Sequence, residues 1–353
     1  MTKSEFLAKL SLALSANQSD ETVNGLLADF NEHFDEAVRE GKSEAEICDM
    51  LGDPVEIAAE YGEEVSEYAV PADDAGVYIN LFHVNLTCEP CDGNDFYIEV
   101  RQNNRVIQDD TIQVEQINNT LRITQLRAKD FISLLFNTFT FSKTVYVRIP
   151  QRFNGNMSIR MTSGNVRLNG VAIKGYLFCE LKSGNVRMLQ VSSDSMDIRS
   201  RSGNVTVENC SCDLSAECHS GNVRVISHKG NILRAVTTSG TVRVGADHFV
   251  KDCMAGAKSG SVHVELNKLD SNLTLDCHSG SIKFSVRELC GNITGKTRSG
   301  SITGWLSRDT RAVFMLESSV IRNKFPNAIT PKPGEPVVNL STRSGLIHLK
   351  ELY

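Results

Sequence analysis

The chain has 353 residues, of which 41% are hydrophobic and 23% charged, with 25 glycines against 8 prolines. This length predicts more than one domain or an extended repeat, and the composition excludes a wholly disordered or collagen-like chain. The net charge of −6 combines two unlike parts: residues 1–75 carry 4 Lys or Arg and 19 Asp or Glu, net −15, whereas the remaining 33 and 24 give +9. Only the second part has a charge that suits an anionic partner.

No apolar run reaches the ~18 residues of a membrane helix, because the best candidate, Phe131–Phe136, is bounded by Asp130 and Asn137. We therefore predict no membrane span. Ten cysteines without an export signal predict reduced thiols and a cytoplasmic location. Association with a membrane through a partner, or the cell surface, are the alternatives.

Cys88 and Cys91 are the one cysteine pair with the spacing of metal ligands. A four-ligand zinc site needs a second such pair, and the chain has none. We interpret the two cysteines as small residues at a turn, and we predict no metal and no cofactor for this protein.

The sequence of residues 1–65 indicates four short helices. Thr2-x-x-Glu5 and Ser43-x-x-Glu46 are capping boxes that begin the first and third, and Asp53 caps a fourth that has Pro54 at its first position. Ser19 or Asp20 caps the second helix, and Gly41 and Gly52 end the second and third. The expected buried faces consist of Phe6, Leu7, Leu10 and Leu14; Leu26, Leu27, Phe30, Phe34, Ala37 and Val38; Ile47, Met50 and Leu51; and Val55, Ile57, Ala58 and Tyr61.

Three segments of this region, Met1–Leu7, Asp35–Ser43 and Leu51–Ala58, resemble the HAAS family in their caps and turns. That family is a small α-helical module of bacterial signalling and regulatory proteins, found beside PadR-like repressors. The resemblance implies that the module binds a protein partner, which could be a second copy or a PadR-associated regulatory system. Many members continue into membrane helices, whereas this chain does not.

A Ser-Gly dipeptide recurs through the rest of the chain. Eight copies are separated by 18 to 20 residues and a ninth follows after a gap. The serines are Ser163, Ser183, Ser202, Ser220, Ser239, Ser259, Ser279, Ser299 and Ser344. Such a period is the signature of a repeat architecture.

Alternating apolar positions on both sides of the dipeptide predict two short strands that meet at a corner. The positions six before, three after and five after each serine are mostly Leu, Met, Val, Ile or Phe. Glycine at the corner permits a positive φ. The sequence therefore predicts an α+β multidomain chain, in which a small helical bundle is followed by a parallel β-solenoid (β-helix) with ~20 residues per turn.

Polar ladders and small core residues are expected around the corner. The residue after glycine is asparagine in the first four turns and Thr or Ser in the next four, which predicts an amide ladder followed by a hydroxyl ladder. Cys218 and Cys277, two residues before the serine, are expected to fill the core.

Both ends of the repeat depart from its period. The gap between Ser299 and Ser344 fits two turns, with a degenerate corner at Ser318-Ser319 and a proline-rich insertion. We predict a module at 1–65, a linker at 66–75, irregular N-terminal turns at 76–150, and a Ser-Gly-repeat solenoid at 151–353 with an insertion near 322–337.

Residues 76–353 resemble the bacterial "putative adhesin" β-solenoid family of unknown function. The resemblance rests on the strand that ends at Pro150, the segment Met161–Val166 and the repeated Ser-Gly-Asn/Ser-Val corners. It implies a solenoid fold, and that family is joined to HAAS domains elsewhere.

Two outward columns flank the corner: the residue before each serine and the fourth residue after it. Five of nine positions in each column are Lys or Arg, and two more are His. The cations form a candidate ridge for an anionic partner, called the basic ridge below: Lys182, Arg201, Lys258, Arg298 and Arg343 in the first column, and Arg167, Arg187, Arg224, Arg243 and Lys283 in the second. The alternative interpretation is charge that protects a long sheet from aggregation.

The sequence predicts a protein that is not an enzyme, because acids are scattered on the repeat faces and no Ser-His-Asp spacing, P-loop, dinucleotide fingerprint or HExxH is present. The predicted function is interaction or regulation, with a helical module that binds a partner and a solenoid that serves as a scaffold or ligand-binding rod. The alternative is a cell-surface adhesin or a wall-associated polymer binder.

Overall fold

A computed structural model describes residues 1–15, 20–39, 41–51, 53–55, 68–71, 76–103, 105–109, 111–117, 119–126, 143–249, 251–326 and 334–352. The chain divides into two compact units. One unit contains the N-terminal helices. The other contains residues 142–353 and most of the strands that precede them.

The N-terminal unit contains helices α1 (Lys3–Leu14), α2 (Asp20–Arg39) and α3 (Glu44–Leu51). The capping box of α1 is present, since the Thr2 hydroxyl accepts from the Glu5 amide and the Glu5 carboxylate accepts from the Thr2 amide. Ser43 and Glu46 make the same reciprocal bonds at α3. The helices pack around a core of Phe6, Leu10, Leu14, Val23, Phe34, Ala37, Ile47 and Cys48.

Two predicted core residues of this unit are instead exposed. Val38 is 45% exposed and Val55 is 57% exposed. Val38 lies one position beyond the buried Ala37, at the edge of the apolar face, which explains why periodicity overestimated that face. The Asp53 carboxylate accepts from the Val55 amide at 2.8 Å, as expected of a cap. The remainder of the fourth helix, with Ile57, Ala58 and Tyr61, lies outside the described residues, as do Gly52 and the side chains of Leu26 and Met50.

The strands are β1 (Tyr68–Pro71), β2 (Gly76–His83), β3 (Asn85–Cys91), β4 (Asp95–Gln102), β5 (Arg105–Ile107), β6 (Ile112–Ile117), β7 (Thr120–Gln125), β8 (Lys143–Pro150), β9 (Met157–Ser163), β10 (Val166–Asn169), β11 (Tyr176–Ser183), β12 (Val186–Leu189), β13 (Ser192–Ser202), β14 (Val205–Glu208), β15 (Ser211–Ser220), β16 (Val223–Ile226), β17 (Ile232–Phe249), β18 (Asp252–Leu269), β19 (Asn272–Ser279), β20 (Ile282–Leu289), β21 (Ile293–Ser299), β22 (Ile302–Ser307), β23 (Val313–Glu317), β24 (Val320–Asn323), β25 (Val337–Ser344) and β26 (Leu346–Leu352).

The predicted β-solenoid is confirmed. From β9 onwards, strands one turn apart pair in parallel, and the nine serines of the Ser-Gly corners lie in one register. From β9 to β22, the strands bury alternate side chains, so the core is a narrow column of mostly aliphatic residues between the strands. Each turn adds one layer, about 4.8 Å along the axis.

Backbone and side-chain bonds tie the layers together at the corner. The amide of Gly184 donates to Ser202 O at 2.9 Å, and the same bond recurs in later turns. The predicted amide ladder is present: Asn185 Nδ2 donates to Asn165 Oδ1 at 3.1 Å, and Asn204 Nδ2 donates to Asn185 Oδ1 at 3.2 Å. Cys218 Sγ is buried and lies 3.1 Å from Gly203 O, so it fills the core and donates a weak hydrogen bond as well.

At the N-terminal end, the order of the layers differs from the order of the chain. Strands β2 and β3 pair in parallel with β9 and β10 on one side and with β7 and β8 on the other. Residues 76–91 therefore form a regular turn between two later segments. Its corner, His83-Val84-Asn85, replaces the Ser-Gly-Asn of the repeat, and Asn85 begins the amide ladder by accepting from Asn165 Nδ2 at 3.1 Å.

The C-terminal end repeats this arrangement. Strands β25 and β26 pair with β21 and β22 on one side and with β23 and β24 on the other, so the last turn of the chain is the penultimate layer. The predicted degenerate corner lies in the outermost layer, where the hydroxyls of Ser318 and Ser319 donate to Gly345 O at 2.9 and 3.3 Å. Both extremities of the β region are thus covered by a layer that comes from the interior of the sequence.

One buried histidine makes the solenoid sensitive to acid. His228 is 1% exposed between β16 and β17, and its Nε2 lies 2.9 Å from Cys212 O. Burial lowers the pKa of His228 to about 4, and the bond to Cys212 and the charge of Asp213 oppose this only in part. The folded protein therefore keeps this imidazole neutral.

We expect the free energy of unfolding to fall as the pH drops from 7 to 5, because an unfolded histidine takes up a proton near pH 6.5 and the folded one does so only near pH 4. His228 alone accounts for about 2 kcal/mol of that loss. Urea unfolding of the wild type and His228→Gln at both pH values measures it. An equal pH-induced loss in the two proteins would contradict this assignment.

Candidate functional site

The basic ridge is an exposed band that runs beside the Ser-Gly corners. Its second column stays in backbone register through all nine turns, so that Arg167 pairs with Arg187 and Arg224 with Arg243. The first column lies between the buried position two before each serine and the serine itself. All ten predicted cations are exposed. The structure thus brings together the residues that the sequence singled out.

The ridge cations are largely free of carboxylate partners. Within the described part of the chain, Arg187 is the one ridge member in an ion pair, with Glu208 at 3.2 Å. Like charges about 4.8 Å apart repel by somewhat under 1 kcal/mol per pair in water, and salt reduces that further. The fold tolerates this repulsion, and the ridge keeps its positive potential.

A neighbouring column shows how the same stack neutralises charge. Three positions before the serine, successive turns carry Arg160, Glu180, Arg199 and Glu217 in register. Signs alternate, and Arg160 Nε lies 3.8 Å from Glu180 Oε2. Alternation of this kind stabilises stacked strands. The basic ridge lacks this alternation, since neither of its columns contains an acidic residue.

Two histidines of the second column have a lowered pKa. Desolvation lowers the pKa of His263, and the flanking Arg243 and Lys283 lower it further, while Glu265 opposes them. Desolvation also lowers the pKa of His348, with additional effects of Lys350, Arg322 and Lys324. Both imidazoles therefore take up a proton at a lower pH than an ordinary histidine.

We expect polyanion binding at the ridge to tighten as the pH falls below the ordinary histidine range, since a bound anion favours the protonated imidazole. The double variant His263→Gln/His348→Gln should lose part of that increase while it keeps the wild-type affinity at pH 8. Titration of both proteins with polygalacturonate, at pH 8 and at a pH below the ordinary histidine range, measures the affinities. An unchanged pH dependence in the double variant would exclude these two residues as its source.

Sequence reasoning missed one cation. Arg322 on β24 lies in register with His348 and extends the second column into the outermost layer. Its corner is two residues shorter than the others, since Glu317 pairs with Ser341 and Val320 with Leu346. The fixed offset from a Ser-Gly dipeptide therefore could not be applied to it, although Ile321, which pairs with Ile347, marks the correct phase.

The Cys-x-x-Cys pair is not at a turn, as the sequence suggested, but lies within β3. Cys88 points into the core, where burial raises the pKa of its thiol, and Cys91 Sγ donates to Asp95 O at 3.5 Å on the partly exposed side. In the described residues, no group of three or more His, Cys, Asp or Glu could hold a metal ion. No described helix is long and apolar enough to cross a membrane.

The architecture defines a β-solenoid protein with an N-terminal helical module, and family comparisons agree with it. The HAAS family model matches residues 5–60. The Toastrack DUF4097 family model matches residues 77–308, about two thirds of the chain, and the protein belongs to that family. Neither family description names an enzyme.

Two solved structures are similar over most of their length. One is a "putative cell adhesion protein" from Clostridium sporogenes, 10% identical, which covers 81% of this chain and 98% of its own with a TM-score of 0.28. The other is a "putative adhesin" from Bacteroides fragilis, 16% identical, with 81% and 95% covered and a TM-score of 0.28. No curated protein matches the chain.

Proposed function

We propose that this protein acts by binding and catalyses no reaction. Its solenoid is a rod whose basic ridge binds an anionic polymer, and its helical module binds a protein partner. The observation that supports this most is a contrast: the two ridge columns repeat cations and contain no acidic residue, whereas the charges three before the serine alternate in sign over the first four turns. Linear polyanions bind such surfaces and release their counterions.

Neutralising three central ridge cations should weaken polyanion binding. The triple variant Arg224→Gln/Arg243→Gln/Lys283→Gln is expected to bind polygalacturonate about tenfold or more weakly at low salt, because three ion pairs are lost. The matched control is Lys174→Gln/Lys229→Gln/Lys251→Gln, which removes three exposed cations outside the ridge. An equal loss of affinity in both variants would show that binding depends only on the net charge of the protein, and would contradict a specific site on the ridge.

The helical module supports a protein-binding role through its charge and its surface. Residues 1–75 carry −15, and Leu12 is 79% exposed on α1, where a small bundle cannot cover it. A second copy or a PadR-associated regulator are the proposed partners. Sedimentation of the full chain and of Leu12→Ser over a range of concentrations tests the first. Concentration-dependent association that Leu12→Ser abolishes is expected for self-association, and a monomer throughout would exclude it.

We place the protein in the cytoplasm. All ten cysteines are free thiols, and eight of them are buried, which supports a reducing compartment. The alternative, a cell-surface adhesin or wall-associated polymer binder, also uses the ridge but requires export. Fractionation of the native bacterium decides between them, because recovery of the protein outside the cell would favour the alternative.

A further inference from the structure

The ridge carries at least one permanent cation in every Ser-Gly turn. Reading the two columns together, eight of the nine Ser-Gly turns have one Lys or Arg, and the turn of Ser183 has two. The cation lies in the second column at Arg167, in the first at Arg201 and in the second again at Arg224. Neither column alone therefore shows that every turn carries a cation. In stacking order, each layer therefore adds at least one fixed cation to the ridge.

In each of the eight turns with a single cation, the other ridge column carries a threonine or a histidine. These eight companions are Thr162, Thr206, His219, Thr238, His263, His278, Thr303 and His348. None is acidic and none is a Phe, Tyr or Trp. Hydroxyl and imidazole groups donate and accept hydrogen bonds, so each turn offers one charge and one neutral polar group.

From this pattern we infer that the ligand of the basic ridge is a linear acidic polysaccharide that lies parallel to the solenoid axis, with one anionic group near each turn. This inference rests on the proposed function and names its substrate class. Layers about 4.8 Å apart place nine turns over about 38 Å, so nine anionic groups, one for each layer, would span the ridge. Sugar hydroxyls would meet the Thr and His companions.

Two other linear polyanions fit less well. Single-stranded nucleic acid is held by aromatic rings on which bases stack, and both columns lack them. An extended acidic peptide docks best along an unpaired strand edge, where its main chain forms hydrogen bonds. The corner offers such a peptide no strand edge, because the amides of Gly184 and Val186 already donate to the next layer.

The test is a length series of oligogalacturonates, in which every ring carries one carboxylate. Affinity should rise about two- to fivefold with each added ring, as expected for one exposed ion pair, and should level off at about nine rings. Oligoglutamates with the same number of charges should bind more weakly at every length. A plateau after two or three rings, or tighter binding of oligoglutamate, would overturn the inference while polyanion binding by the basic ridge stands.

A gap in the ridge provides the internal control. Arg224→Gln/Arg243→Gln removes the fixed cations of two central turns, and the gain with length should then stop at about half the wild-type plateau. Lys174→Gln/Lys229→Gln removes the same charge elsewhere and should keep the full plateau. If no oligomer of any length binds the wild type, the proposed function fails together with the inference.

Discussion

Gly240→Ala is expected to destabilise the solenoid by about 3 kcal/mol or more and to leave much of it unfolded at 37 °C. Gly240 has a φ of +143°, in the region that side-chain-bearing residues rarely adopt. An added Cβ would lie 2.1 Å from Gly221 O and 2.7 Å from Gly221 C. These atoms belong to the backbone of the adjacent layer, so they can move only if the interlayer hydrogen bonds are broken.

The same strand supplies the control for this prediction. A Cβ on Gly245 would have no atom within 4 Å, and the φ of this residue lies outside the positive region. Gly245→Ala should change the free energy of unfolding by no more than about 0.5 kcal/mol, or raise it slightly through the unfolded chain. Thermal and urea unfolding followed by circular dichroism compare the two. Similar losses in both variants would mean that close packing at the corner does not restrict Gly240.

Ile347→Ala is expected to cost about 2–5 kcal/mol although Ile347 is only a few residues from the end of the sequence. Its side chain is fully buried in β26, between Ile302 in β22 and Ile321 in β24. The reason is the layer order, which places the last turn of the chain inside the stack. The same substitution in a frayed terminal strand would reduce the free energy of unfolding far less.

Ile321, its register partner in the outermost layer, is the matched control. It is 43% exposed, so Ile321→Ala should cost about 1 kcal/mol or less. Urea unfolding of both single variants gives the comparison. A larger loss for Ile321→Ala than for Ile347→Ala would show that the layers follow the order of the sequence after all.

The periodic part of the fold could be predicted from the sequence because every turn meets the same physical requirements. Glycine is required where backbones meet at the corner, alternate positions enter the core, and the remaining positions face water. Ridge residues such as Arg224 and Lys283 follow from their offset to the serine, and the structure places them as expected on the exposed side.

The two ends of the solenoid could not be predicted from the sequence in the same way. His83-Val84-Asn85 forms a corner without the dipeptide, and β3 joins the stack through pairing with β10, whose residues come about 80 positions later. Pairing between distant segments leaves no local periodicity in the sequence. Arg322 was missed for another reason: its corner is two residues shorter than the others, so the fixed offset from the Ser-Gly dipeptide does not apply. The domain boundaries remain predictions.

The salt dependence of polygalacturonate binding by the full chain tests the existence of the ridge site most directly. For the wild type, the logarithm of the affinity should fall linearly and steeply with the logarithm of the salt concentration. The variant Arg224→Gln/Arg243→Gln/Lys283→Gln should reduce that slope by about two to three, and Lys174→Gln/Lys229→Gln/Lys251→Gln should leave it unchanged. The same slope in all three proteins would contradict a binding site on the basic ridge.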